Sequence, residues 1–335
     1  METRAAVLHV VGKPLVIETV QLTPLRPHDV LVRVRASGLC HTDLEVMRGS
    51  LQLPLPIVLG HEGAGVVEAI GNAVTTVRPG DHVVCSWSPN CGQCYYCDLD
   101  QPILCESLTA AVRNGQLPDG ESRLRLRDRT MHHFSVVSSH AEHCIVPEGG
   151  AVPVPAEVPF DRACLLGCAV TTGICAVIRC ARVEPGSSVV VVGVGAVGLN
   201  VLQGARLAGA RTIIAVDVSP RHLAMAPRFG ATHVIDARRE EVPAAVRALT
   251  GGRGADYAFE AAGNEASLQH TFEVARPGAS VVVLGKTAVD ARVALRFGSL
   301  MGEKRIVRSS YGGAPRAHRR DRLWPASGPR TSLVR

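Results

Sequence analysis

Four cysteines stand at Cys91, Cys94, Cys97 and Cys105, a C-x-x-C-x-x-C run followed by one more thiol. Four thiolates at this spacing can close a tetrahedral zinc shell with no open position, so the expected product is a stapled loop. A second set is scattered: Cys40 in Gly-Leu-Cys-His-Thr-Asp, His61 in Gly-His-Glu-Gly-Ala-Gly, and Cys168 in Leu-Gly-Cys-Ala-Val-Thr-Thr-Gly. Taken singly, each is more often a core residue than a ligand. Spacing alone does not bring the three together. A third pattern is Val189–Val192 running into Gly193-Val-Gly195-Ala-Val-Gly198. There the first glycine permits a tight turn, the second lets backbone approach a pyrophosphate, and the third lets helix and strand pack closely. Asp217 closes the next strand 19 residues after Gly198. A carboxylate there accepts ribose hydroxyls and repels a 2′-phosphate, which favours NAD over NADP.

The elements that must hold these residues change character along the chain. Up to about residue 150, short apolar or alternating runs recur at Ala5–Val10, Leu15–Val20, Asp29–Ala36, Ile57–Ile70 and His82–Trp87, with Gly and Pro between them. Ala163–Ala181 reads as one buried helix. Val- and Ile-rich strands then alternate with helices at Ser188–Gly193, Arg211–Asp217, His233–Asp236, Asp256–Glu260, Ser280–Gly285 and Ile306–Ser310. Strands with little alternation suit a parallel sheet covered on both faces, and six of them suit a doubly wound sheet. Arg123, Arg125, Arg127 and Arg129 alternate with other residues and predict the solvent face of an exposed hairpin.

At these motifs the chain resembles the zinc-dependent medium-chain alcohol dehydrogenases of the NAD-dependent, two-zinc type. The resemblance runs through Gly60-His61-Glu62-Gly63-Ala64-Gly65, Pro79-Gly80-Asp81, the four-cysteine lobe, the Gly-Cys-Ala-Val-Thr-Thr-Gly turn and the dinucleotide fingerprint, over about residues 4–313. It implies a GroES-like β-rich catalytic domain over 1–160 with a structural-zinc lobe at about 88–107. A Rossmann NAD-binding domain over 161–311 follows, then an atypical tail over 312–335. It also implies that Cys40, His61 and Cys168 bind a catalytic zinc, with Glu62 behind the metal and Asp43 orienting His61. Thr42 would take the alcohol proton, in hydride transfer from a zinc-bound alkoxide to NAD. Glu45 stands where many members carry a histidine that passes this proton outward. His41, Thr172, Gly193, Gly195, Gly198, Asp217 and His222 would contact the coenzyme. The implied substrate is a primary or secondary alcohol, oxidised to an aldehyde or ketone. The alternative is an S-hydroxymethyl adduct of a thiol. Glutathione-dependent members hold the adduct with an acid and an arginine where this chain has Leu51 and Thr109, so a simple alcohol is the first expectation. A homodimer is implied as well, or a tetramer, through the edge near Ile306–Ser310.

Length and composition fit two domains: 335 residues, 46% hydrophobic and 20% charged. Aromatics are only 4%, too few for base-stacking platforms. The net charge of +6 is concentrated in residues 314–335, where six arginines face one acid, Asp321. No nucleic-acid partner, no membrane span and a cytoplasmic location are therefore expected, and eleven cysteines without an export signal point to metal or reactivity. A zinc-ribbon nucleic-acid binder would leave the second half unexplained. The tail after Gly313 departs from the family pattern, which predicts a frame-shifted or truncated end and, as a further alternative, a catalytically silent NAD- and zinc-binding protein.

Overall fold

The computed structural model describes residues 1–288 and 290–314, so the expectation for the tail lies, beyond Ala314, outside the described residues. The chain divides into two compact units, Met1–Cys168 and Ala169–Ala314. The division falls after residue 168, later than the expected 160, because the helix that starts at Phe160 packs on strands of the first unit.

In the first unit the elements are β1 (Glu2–Leu8), β2 (Val16–Leu22), β3 (Asp29–Gly38), α1 (His41–Arg48), β4 (Ile57–Val58), β5 (Glu62–Ile70) and β6 (His82–Cys85). Then come α2 (Tyr95–Asp98), α3 (Glu106–Asn114), β7 (Leu124–Leu126), β8 (Arg129–Thr130), β9 (His132–His133), β10 (His143–Pro147), β11 (Ala151–Pro153) and α4 (Phe160–Leu166). They build a six-stranded sheet in the order β8-β7-β2-β1-β4-β9 and a five-stranded sheet in the order β10-β3-β5-β6-β11. One apolar cluster gathers Ala5, Val7, Val20, Leu22 and Val58 of the first sheet with Leu108, Ala111 and Leu117. Another joins Val30, Val32, Val67, Val83 and Cys85 inside the second.

Three expectations need correcting here. The run Ile57–Ile70 is two strands in different sheets, broken at Gly60 (φ 90°). A Cβ on Gly60 would lie 2.5 Å from the His140 amide nitrogen, so only glycine makes this crossing without strain. The helix expected over Ala163–Ala181 breaks at Gly167 and Cys168, where a Cβ on Gly167 would sit 2.7 Å from the Cys85 carbonyl. Finally, Arg123 is not on a solvent face. It precedes β7, is 2% exposed, and lies in a bidentate pair with Asp29 (Nε–Oδ2 2.6 Å, Nη2–Oδ1 3.1 Å), with Asp119 closing the cluster. Arg125, Arg127 and Arg129 are exposed as expected.

The second unit opens with α5 (Ala169–Cys175), which widens into a π-helical turn over Ala176–Ala181. It continues through β12 (Ser188–Val192), α6 (Ala196–Leu207), β13 (Thr212–Asp217), α7 (Pro220–Met225), β14 (His233–Asp236) and α8 (Val242–Leu249). It then runs through β15 (Ala255–Glu260), α9 (Glu265–Val274), β16 (Ala275–Val283) and β17 (Arg305–Arg308). All neighbours in the order β14-β13-β12-β15-β16-β17 are parallel. Val189, Val191, Ile213 and Ala215 join one core, while Val190, Val192, Ile214 and Val216 join another. Successive residues point to opposite faces and both faces are buried, which is why these strands read as unbroken apolar runs. No single helix among the described residues is long and apolar enough to cross a membrane.

Candidate metal centres and coenzyme site

The scattered donors do converge. One ligand atom from each of Cys40, His61, Glu62 and Cys168 lies within 4.8 Å of the others. Each comes from a break between elements. Cys40 precedes α1, His61 follows the Gly60 crossing, Glu62 begins β5, and Cys168 fills the gap between α4 and α5. Asp43 organises the approach from beneath: its Oδ2 accepts the Cys40 amide (2.9 Å) and its Oδ1 accepts the Gly60 amide (3.0 Å). Oδ1 also lies 3.6 Å from His61 Nδ1. Thr42 Oγ1 is 3.6 Å from Cys40 Sγ, and Glu45 stands half-buried one turn along α1.

The electrostatics of this cluster fit a dication. Cys40 is drawn far below the ordinary thiol value, first by hydrogen bonding with Cys168 and then by His61, against its burial. Cys168 is pushed up by the bond with Cys40, by burial and by the charge on Cys40. Burial works against a charge on His61, yet Asp43 and Cys40 carry it up to about 9. Burial also opposes the charge on Asp43, but the neighbouring His61 ring and the Cys40 amide outweigh it and hold the carboxyl low. Glu62, 3% exposed, is raised to about 7 by burial and by the charge on Cys40. The charge on Cys40 thus holds Cys168 and Glu62 up, and the positive charge of a metal would relieve that repulsion. His61 Nδ1 is buried without a hydrogen-bond partner and lies 3.6 Å from Asp43 Oδ1.

In the second cluster the ligand sulfurs of Cys91, Cys94, Cys97 and Cys105 also lie within 4.8 Å of one another. Cys91 and Cys97 are 4.0 Å apart, and the Cys91 amide donates to Cys105 Sγ at 3.4 Å. Cys94 and Cys105 directly precede α2 and α3. The Glu106 and Cys97 amides pull Cys94 down to about 6, while burial pushes Cys97 up to about 12. Four sulfurs with no carboxylate among them suit a closed structural zinc shell.

In the second unit, the three glycines take the positions that the fingerprint requires. Gly193 turns the chain at φ 90°, and a Cβ there would lie 2.6 Å from the Ala262 amide nitrogen. A Cβ on Gly198 would lie 1.9 Å from the Gly193 carbonyl oxygen. Gly195, at the start of α6, has nothing within 4 Å of where its Cβ would be, which leaves room for a phosphate at the helix N-terminus. Asp217 ends β13. Its Oδ2 accepts the Val194 amide (2.7 Å) and lies 3.2 Å from His222 Nδ1, so it fixes the glycine turn. Thr172 lies on α5 in the second unit, and His41 begins α1 in the first.

Sequence reasoning missed two charged residues that end strands of this sheet. Glu260 is fully buried at the end of β15, and Arg308 ends β17. An acid terminating the apolar run of β15 just before Ala-Ala-Gly was the available signal for Glu260.

Comparison with known proteins agrees with the geometry. Residues 26–156 match the alcohol dehydrogenase GroES-like domain, and residues 196–325 match the zinc-binding dehydrogenase domain. A probable S-(hydroxymethyl)glutathione dehydrogenase of Schizosaccharomyces pombe is 39% identical over 313 residues, covering 92% of this chain and 82% of that protein. An S-(hydroxymethyl)glutathione dehydrogenase of Paracoccus denitrificans is 39% identical over 323 residues, covering 94% and 86%. Among solved structures, benzyl alcohol dehydrogenase from Acinetobacter calcoaceticus superposes with a TM-score of 0.89 at 33% identity, covering 95% of this chain and 86% of that one. This chain belongs to the zinc-dependent medium-chain alcohol dehydrogenase family. It is an NAD-dependent oxidoreductase of zinc and NAD that acts on a small alcohol or aldehyde. The named relatives weigh toward the thiol-adduct alternative over the simple alcohol expected first.

Proposed function

We propose that the protein oxidises a hydroxymethyl group carried on a thiol, an S-hydroxymethyl adduct, with NAD as the acceptor. What carries the reading is the convergence of Cys40, His61 and Cys168 in a chain whose relatives are named for that substrate. With zinc and NAD bound, the metal supplies Lewis acidity that acidifies a hydroxyl and the coenzyme accepts hydride. Cys40, His61 and Cys168 would hold the metal, and Asp43 fixes the His61 ring through Nδ1. Thr42 Oγ1 receives the hydroxyl proton, and Glu45, next along α1, hands it to solvent. Glu62 tempers the charge of the centre from within the cluster. The first unit thus carries the metal chemistry and the second carries the coenzyme.

A second reading, a simple primary or benzylic alcohol, is favoured by two side chains. Leu51 packs against the apolar cluster of Leu8, Val46, Ile57, Leu59 and Phe134, and the Thr109 hydroxyl donates to the Cys105 carbonyl. Neither offers a charge to a peptide-like thiol. Steady-state NADH formation with formaldehyde plus glutathione, with formaldehyde plus other thiols, and with benzyl alcohol tests both. A kcat/KM for some thiol adduct at least about tenfold above benzyl alcohol supports the first reading. The reverse order establishes the second.

A further inference from the structure

The four-cysteine lobe of the first unit carries apolar side chains on its outside that neither the metal chemistry nor the coenzyme site uses. Tyr95 is 65% exposed, Leu99 51% and Leu104 47%, all in the short segment between Cys94 and Cys105. Large apolar side chains gathered on one lobe mark a contact surface, where scattered ones would not. Beside them runs α3. Its inner residues Leu108 and Ala111 are buried in the core of the first unit. Its outer residues Glu106, Thr109, Ala110 and Arg113 are all exposed, at the i, i+3, i+4, i+7 spacing of one helical stripe.

With Tyr96 and Leu104, these four residues line a groove of about 420 Å3. The Thr109 hydroxyl turns inward to the Cys105 carbonyl (3.0 Å), so the floor between the two charges asks for no further hydrogen bond. Glu106 and Arg113 stand about 10.5 Å apart along the helix axis. Neither belongs to an ion pair among the described residues. An acid in the first turn and a base in the last suit the helix dipole, so the charges alone ask for no partner. The exposed apolar side chains around them do.

We infer that this face of the lobe is a self-association surface, on which a second copy of the chain docks through α3. The stripe is complementary to itself. An antiparallel copy of α3, turned about a dyad between Thr109 and Ala110, sets Glu106 against Arg113 of the partner subunit at both ends. It also sets Thr109 against the partner's Ala110 in the middle, where small side chains let the helix axes approach to about 8 Å. The charged pair and the small pair are centred on the same point, as an isologous contact requires, because it uses one patch on both copies. This face belongs to the first unit and the edge near Ile306–Ser310 to the second, so an assembly that uses both holds four copies.

Sedimentation velocity of the purified zinc-loaded enzyme tests this, with Glu106→Arg and Arg113→Glu beside the wild type. Each reversal sets like charges together at both ends of the contact. Each variant is therefore expected at half the wild-type mass, its self-association weakened at least about 100-fold. An equimolar mixture of the two variants restores opposite charges at both ends, and the wild-type mass should return. A variant that had merely misfolded would not recover in this way. A monomeric wild type, single variants that keep the wild-type mass, or a mixture that stays at half mass would each overturn the inference. Single variants of wild-type mass whose KM for the alcohol rises would assign the groove to a small ligand instead.

Discussion

Asp43 shows most directly how one side chain can prepare a metal centre. It accepts two backbone amides and lies 3.6 Å from the buried His61 Nδ1, so Asp43→Asn removes charge while preserving shape. Zinc affinity at the Cys40–His61–Cys168 centre is expected to fall about 10–100-fold, read by competition with a chromogenic chelator, while the four-cysteine lobe keeps its metal. His133 supplies a pH dependence of a different kind. It is fully buried, its Nε2 accepts the Arg123 amide at 3.0 Å, and burial followed by the Arg123 charge drives it down to about 3. The unfolded ring takes a proton below about 6.5 and the folded ring does not until about 3. Stability is therefore full above that window and declines through it, by about 1.4 kcal/mol per pH unit from this one group. Relative to His133→Gln, the wild-type denaturant midpoint should fall as pH drops from about 6.5 toward 3, and parallel pH profiles for the two proteins would mean that His133 does not carry this dependence. The ligand types were legible from sequence because a His or Cys beside glycines is a distinctive pattern. The charges were not, because Arg123 and Asp29 are neighbours only after folding.

At the scale of elements, the glycines separate packing from ligand binding. Gly198→Ala places a Cβ against the Gly193 carbonyl, so it should cost about 1–3 kcal/mol of stability together with NAD binding. Gly195→Ala meets open space, so its melting behaviour should change by less than about 1 kcal/mol while NAD affinity falls sharply. Calorimetry in the absence of coenzyme separates the two; equal destabilisation by both would contradict the assignment of that space to a phosphate. Arg123→Met leaves Asp29 buried beside a hydrocarbon, and a loss of about 3–5 kcal/mol is expected, measured as a shift in denaturant midpoint. The parallel strands could be read directly because two buried faces demand continuous Val and Ile, as in Val189–Val192. The crossings at Gly60 and Gly167 could not. Gly167 lies in a run that stays apolar, and Gly60 is followed by only two polar residues before the apolar run resumes, so only the close backbone approach in the fold reveals either break.

For the molecule as a whole, β17 is an edge strand among the described residues, and its residues Arg305–Arg308 are all exposed, with Ile306 at 49% and Val307 at 39%. We propose that a second copy pairs there. Sedimentation of Ile306→Lys should then show a smaller species than the wild type, and identical mass for both proteins would exclude this edge. The two-unit plan was readable from the shift in hydrophobic period near residue 160, whereas the position of the division was hidden in the break after α4. That break has a consequence for the unfolded chain. A metal held by Cys40 and Cys168 ties together residues far apart in sequence, while one held between Cys91 and Cys105 closes a short loop. As chemical cross-links the two are unequal: loop-closure entropy favours the longer by about 2 kcal/mol. The centre that performs the chemistry is then also the clasp that most restricts the denatured ensemble, and a chain stripped of metal should refold more slowly for want of that clasp than for want of the lobe.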